Sequence, residues 1–405
     1  MRKEIIAIII VVLAIAAGIL ILIFLNDFNG SRQNSPSLSP SPSPGLNLGE
    51  NLTGLPLKIA DGFSISIFAQ NLKDARDMAF DSMGNLWVSR PDEGVITLIE
   101  IENGRAARQN DVLRNLNKPH GLAFDPDTPN LLYFAEENKI SKIPLYSDAP
   151  PQKLVDLPSG GRHITRSLIF GADKRLYVSI GSSCDVCVES DKRRGTIYSM
   201  NPDGSDFKEF ASGLRNSVFM ALNPETEEIW ATEMGRDFLG DNLPPDEINI
   251  IKSGKNYGWP YCYGQRIVDS RFENTGEQIC PATEKARLEI PAHSAPLGLA
   301  FSPLNSNWPK EYRNSLFVAY HGSWNRNEPA DYKIARFSLN GGEQTDFISG
   351  WLGSDGKVYG RPADILIADK GDAYISDDYS GKIYQVRFIN QTERTTNSVF
   401  FEKQS

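Results

Sequence analysis

Histidine, cysteine and net positive charge are all scarce in this chain. Four His and four Cys occur among 405 residues, and 42 Lys and Arg against 51 Asp and Glu leave a net charge of -9. That balance excludes a nucleic-acid binder, because phosphate recognition needs a basic surface. Apolar residues at helical spacing are nearly missing, which argues against a parallel α/β fold. A second close cysteine pair is also missing. Cys184-Asp185-Val186-Cys187 is open to reading as a redox pair, half of a zinc site or a disulfide.

Long apolar runs are limited to one. Ile5 to Leu25 carries no charge and follows Arg2 and Lys3. About 20 such residues span a bilayer. The run is longer than a signal-peptide core, and neither a small-residue cleavage site nor a lipoprotein cysteine follows it. Residues 1–28 therefore read as an uncleaved transmembrane helix with its N-terminus in the cytoplasm and the rest of the chain outside. Residues 29–56, which contain SPSLSPSPSP, read as a stiff Pro/Ser-rich linker. Outside the cell, two disulfides are the simplest account of the cysteines; Cys184–Cys187 with Cys262–Cys280 is the favoured pairing, although spacing alone does not fix it. Asn51-Leu52-Thr53 and Asn390-Gln391-Thr392 match the glycosylation sequon.

What is abundant is one repeated pattern: an apolar strand, a turn of Pro, Asp or Gly, and a second strand ending in a small residue. It begins at Met78, Gly121, Ser167, Met220, Gly298 and Ala363, each copy about 43 to 78 residues from the last. A further strand follows each copy, and Phe63-Ser-Ile-Ser-Ile-Phe supplies one more before the first. The pattern predicts an all-β, six-bladed propeller over residues 57–390, with a tail at 391–405.

In a propeller the loops entering the inner strands converge on the axis. Here those loops carry His120, His163, Arg215-Asn216, His293 and Arg361 before five successive blades. A random solvated loop rarely carries such groups five times. The set predicts a polar, cationic axial site suited to an anionic ligand. His163 is the candidate base, because imidazole titrates near neutral pH and Arg162 and Arg166 favour its neutral form. The loop Glu233–Glu247 holds Asp237, Asp241, Asp246 and Glu247 among turn residues, a chemistry that suits Ca²⁺. In His321-Gly-Ser-Trp324-Asn-Arg326, the indole can stack on a planar ring or a sugar face.

His163 with Ser167-Leu-Ile-Phe-Gly, then GLRN, then DEINIIKSGKNYGWP, resembles the soluble glucose, aldose sugar and sorbosone dehydrogenases. AYHGSWNRNEPADYKIARF and GRPADILIADKGDAYISDDYSGKIYQV are similar to the sorbosone and pyranose dehydrogenase branch. Members of that family are six-bladed propellers that use pyrroloquinoline quinone (PQQ) and Ca²⁺. The resemblance implies that a sugar is oxidised at C1 and that electrons pass on to a quinone or cytochrome. It implies His163 as the base, Arg215 and Asn216 as the cofactor pair, with Arg215 near the reacting oxygen, and Arg361 on a cofactor carboxylate. Gly235 and Arg236, beside Asp237, match the main-chain ligands of Ca²⁺. His120 stands where the soluble glucose dehydrogenases keep a cofactor glutamine, and His321 or Lys333 replaces a cofactor lysine. Arg162 stands where the family has an acid, and Ala363 where it has a second arginine. Two other readings compete with this one: a Ca²⁺-dependent lactonase or esterase, and a non-catalytic binding propeller on a stalk.

Overall fold

The computed structural model describes residues 49–145, 147–341 and 344–389. Six sheets of four or five strands form the blades, and their inner strands run in order around one axis. Those inner strands are Met78–Phe80, Leu122–Phe124, Leu168–Phe170, Met220–Leu222, Pro296–Phe301 and Pro362–Ile367. Each opens one of the repeats seen in the sequence.

The repeat's turn explains its own composition. In blade one, Asp81 Oδ1 accepts the amides of Met83 and Asn85 at 2.9 Å each, and Gly84 takes φ 81°. Asp125 does the same for Asp127 and Thr128, and Asn223 for Glu225 and Thr226. A short side chain that bonds its own backbone two residues on closes the hairpin, and this is why Asp and Asn recur there.

Neighbouring blades are tied near the axis by buried polar groups. Asp364 Oδ2 accepts Met78 N at 3.1 Å, Asp77 Oδ2 accepts Leu122 N at 3.0 Å, and Thr232 donates to Leu297 O at 2.8 Å. Two glycines let the inner strands touch. A Cβ on Gly121 would lie 2.4 Å from Arg166 O, and one on Gly298 would lie 2.5 Å from Asp364 Cα.

The ring closes through the chain's first long strand. Phe63–Gln70 pairs antiparallel with Lys382–Phe388 as the outer strand of blade six. Phe63 is fully buried and meets Trp308, Tyr312, Phe347 and Phe388 edge-on, with ring centroids 4.9–5.4 Å apart.

Two short strands join the blades on either side of the expected start at Leu57. Glu50–Asn51 pairs in parallel with the closing strand, and Lys58–Ile59 joins the edge of blade five. Asn51 is also engaged as a side chain, donating to Leu55 O and Leu57 O at 2.7 and 2.9 Å, so that sequon serves the fold. Both disulfides form as expected. Among the described residues no helix is long and apolar enough to cross a membrane. The anchor at residues 1–28, the Pro/Ser run, the second sequon and the tail lie outside the described residues.

Replacing Phe63 with Ala removes the hub of this closure. The expected loss is about 3–5 kcal/mol, the usual cost of a large core aromatic. Urea denaturation of both forms measures it, and a loss below about 1 kcal/mol would show that the closing strand does not hold the ring.

Candidate active site

A cleft of about 230 Å³ opens where the loops enter blades three, four and five. Arg162, His163, Arg215, Asn216, His293 and Ala295 come from those loops. Met234, Gly235 and Asp237 come from the loop after Ile229–Glu233, and Trp324 and Asn325 from the loop after Ser315–Tyr320. The axis thus gathers residues more than 160 positions apart in sequence.

The ring of His163 is fixed by one neighbour. Its Nδ1 lies 2.8 Å from Ser182 Oγ, and that hydroxyl donates to Cys184 O at 2.7 Å. A hydroxyl has one hydrogen, so Nδ1 carries the ring proton and Nε2 keeps the lone pair. Burial, then the charges of Arg215 and Arg162, push the His163 pKa down to about 3. At neutral pH the ring is therefore a proton acceptor.

Arg215 is held on three sides. Its Nε donates to Asp185 O at 2.9 Å, Nη2 to Asp185 Oδ1 at 2.7 Å, and Nη1 to Met234 O at 3.2 Å. Burial opposes ionisation of Asp185, but the Asp237 amide and the Arg215 charge outweigh it and hold the carboxyl below its usual range. Asn216 is anchored through its backbone to Glu233 Oε1 at 2.6 Å, while among the described residues its side-chain amide donates only to Met234 Sδ at 3.6 Å. Burial pushes Glu233 up to about 8, so it is largely protonated where it braces this loop.

Arg162 meets Asp237 Oδ2 at 2.5 Å and lies 5.9 Å from the Trp324 ring. The unexpected arginine before the base thus has its carboxylate partner across the cleft. Arg162–Asp237 and Arg215–Asp185 make the cleft balanced in charge, a correction to the cationic mouth expected from the loops.

The acids of the 233–247 loop do not converge. Asp237 also accepts from Asn325 at 3.0 Å and Asp241 from Asn327 at 2.9 Å. Asp246 accepts Gly235 N and Ala295 N, and Glu247 accepts Gly264 N and Asn249. Among the described residues, the one close set of possible ligands is Cys184, Cys187 and Glu189, whose sulfurs are already joined to each other. The carbonyls of Gly235 and Arg236 accept no hydrogen bond among the described residues.

A second polar cluster lies beside the cleft, mainly on the loops of blades six and one. Arg361 donates to His321 O at 2.9 Å and Gly322 O at 2.6 Å, and its guanidinium sits 5.0 Å from the Tyr332 ring. His321 Nε2 lies 2.8 Å from Asp378, which also pairs with Arg76. Arg76 precedes the inner strand of blade one, the same loop position as the other five, and the sequence reading passed over it. His120 is buried, with Phe219 at 5.1 Å and its Nε2 without a partner among the described residues. Lys333 is turned to Asp331 and Asp346 at 3.4 and 2.9 Å, outside the cleft. His293 lines the cleft and its Nε2 lies 2.8 Å from Gly240 O.

A family model described as TrAA12-like matches residues 57–388. The chain belongs to the TrAA12-like family. An uncharacterised protein of Borreliella burgdorferi is 32% identical to this TrAA12-like chain over 82% of it and 91% of the relative. A pyrroloquinoline quinone-dependent sugar dehydrogenase of Hypocrea jecorina is 26% identical, over 70% of this chain and 75% of its own length. The holo pyranose dehydrogenase PQQ domain of Coprinopsis cinerea superposes with a TM-score of 0.70 at 19% identity, covering 84% of this chain and all of that one. The calcium structure of a Trichoderma reesei family AA12 enzyme gives 0.68 at 22% identity, over 84% of this chain and 99% of that one. At these identities the two structures speak for the fold.

Gly181 packs against two side chains of the TrAA12-like cleft. A Cβ there would lie 2.6 Å from His163 Cβ and 2.9 Å from Asn216 Oδ1. Gly181→Ala is expected to cost about 1–3 kcal/mol through overpacking and to displace both side chains. Thermal melting checks the first, and the imidazole signals of His163 the second. Unchanged signals would show that the approach is slack.

Proposed function

We propose that this chain oxidises an aldose or related sugar at C1 to the lactone, with PQQ and Ca²⁺ bound in the cleft. The observation that carries the reading is a proton-accepting His163 Nε2 in one cleft with the Arg215–Asn216 pair. The named activity of the Hypocrea jecorina relative supports the substrate class and the cofactor. The calcium structure of the Trichoderma reesei neighbour supports the cation.

The residues fit such a group. A planar, multiply charged quinone needs fixed donors, and among the described residues the Asn216 side-chain amide has no strong partner. Arg361 is held through Nε and Nη2 while Nη1 makes no bond among the described residues. The Gly235 and Arg236 carbonyls are the open oxygens that a hard cation requires. When bound, PQQ with Ca²⁺ supplies the hydride acceptor and its polarisation.

The chain's own work is positioning and proton removal. His163 Nε2 takes the proton of the C1 hydroxyl, which helps hydride leave the same carbon. Ser182 holds the ring in the tautomer that leaves Nε2 free. Arg215, fixed by Asp185, stabilises negative charge developing beside it without reorganising. Trp324 is 61% exposed and Phe238 is 72% exposed; they meet edge-on at 6.2 Å and give the sugar an aromatic rim. The hydrolytic alternative needs carboxylates converging on an axial metal, whereas each acid of the 233–247 loop is engaged with the protein.

The same reading places the propeller outside the cell, tethered through residues 1–28 and the Pro/Ser linker, with a quinone or cytochrome as electron acceptor. The apolar run Ile5–Leu25 and the two disulfides support it.

Purified protein supplied with PQQ, Ca²⁺, an artificial acceptor dye and a panel of sugars is expected to turn over at least one aldose. His163→Ala is expected to lower turnover by roughly 10²–10⁴. No turnover with any sugar, or an unaffected variant, contradicts the reading.

The pH dependence has a definite sign. A histidine depressed to about 3 stays neutral far below its ordinary pKa, so the acid limb of kcat/KM set by this group lies well under pH 6. Arg162→Ala removes one of the charges that depress it and moves that limb to higher pH. A limb near 6.5 in the parent, or no shift in the variant, counts against His163 as a base next to Arg162.

A further inference from the structure

The tetrapeptide Cys184-Asp185-Val186-Cys187 touches both halves of the catalytic pair. Its first carbonyl takes the Ser182 hydroxyl at 2.7 Å, and that hydroxyl faces His163 Nδ1. Its second residue takes Arg215 twice, through Asp185 O and Oδ1, and Oδ1 also accepts Asp237 N at 3.0 Å. A disulfide closes this loop over a separation of three residues.

So short a ring contributes less to global stability than a long one, because the chain entropy removed by a crosslink grows with loop length. The Cys262–Cys280 bond spans a separation of 18 residues. What a ring of this size does is fix the backbone angles of Asp185 and the direction of the Cys184 carbonyl. Its flank is held separately, with Glu189 accepting Ser183 N at 2.5 Å and Ser183 Oγ at 2.7 Å. The two bonds also differ in access. Cys184 and Cys187 are half-buried, whereas Cys262 and Cys280 are 5% and 1% exposed.

We propose that the disulfide-closed loop Cys184–Cys187 is the clamp that positions His163 and Arg215, and that a dithiol reductant opens it selectively and disables the pair. Dithiothreitol would give two electrons and two protons to the sulfur–sulfur bond, leaving two thiols here and its own cyclic disulfide. Asp185 is then a positioning residue, acting through Arg215. The consequence for turnover rests on the dehydrogenase reading, but the clamp's geometry does not.

The test uses the full chain, titrated anaerobically with dithiothreitol and sampled by alkylation and peptide mapping. Nitrogen-15 signals of the His163 ring are followed in parallel. The expected result is early alkylation at Cys184 and Cys187 while Cys262 and Cys280 stay joined. The melting temperature moves by only a few degrees, and His163 passes from the Nδ1–H tautomer to a mixture. Turnover falls by about 100-fold, as a displacement near 1 Å can produce, and returns on reoxidation. Asp185→Asn keeps the disulfide and is expected to lower kcat more than it raises KM. An unmoved His163 tautomer after both thiols have been alkylated overturns the clamp, as does full turnover in that state. If neither redox state turns over, the dehydrogenase reading fails, and the His163 spectrum still decides for or against the clamp.

Discussion

The pairing of Phe63–Gln70 with Lys382–Phe388 holds six inner strands in a circle, and every feature of the cleft depends on that circle. A propeller has no single sheet able to carry a site. Its catalytic groups reach one another because each blade delivers a loop to the same end of the axis. The closing strand therefore acts at a distance. It fixes the spacing of blades three, four and five although it touches none of the residues in the cleft. The aromatic cluster around Phe63 supplies the packing that makes closure cooperative with the rest of the core.

Within the cleft, charge is arranged in compensated pairs rather than as one cationic field. Arg162 answers Asp237 and Arg215 answers Asp185, and in the neighbouring cluster Arg76 answers Asp378, which a hydrogen bond also joins to His321. Buried ions without partners are costly, and a partner also fixes where the guanidinium points. Among the described residues, the groups of the proposed reaction that stay free are the His163 Nε2 lone pair, the Asn216 amide, the carbonyls of Gly235 and Arg236, and Nη1 of Arg361. A cofactor with several carboxylates and a divalent cation would bring its own opposite charges into such a site.

The strand pairs that open each blade were legible because they alternate apolar and small residues around an Asx-closed turn. Apart from Phe63–Gln70, the outer strands were not. Arg105–Leu113 is mostly exposed and polar, and Gln152–Asp156 is similar, so neither shows a buried face to read. The helix Glu273–Ile279 lies in an insertion of blade four and buries only Gly276, which leaves no apolar stripe. Of the site, His163, Arg215 and Asn216 stood out by loop position and by resemblance. Arg76 occupied the same position before blade one and was passed over. Asp185 was hidden because its tetrapeptide reads as two cysteines rather than as an acid held between them. The fate of the acids in the 233–247 loop depends on partners such as Asn325, Ala295 and Gly264, which no local spacing reveals.

The central claim is that the cleft is a cofactor site built around a proton-accepting histidine. Titrating the purified chain with PQQ in the presence of Ca²⁺, watched by absorbance, tests it most directly. Saturable binding at one PQQ per chain, weakened by a Ca²⁺ chelator and by loss of the Asn216 side chain, is the result predicted. No spectral change up to millimolar PQQ, or binding indifferent to both Ca²⁺ and Asn216, would contradict it.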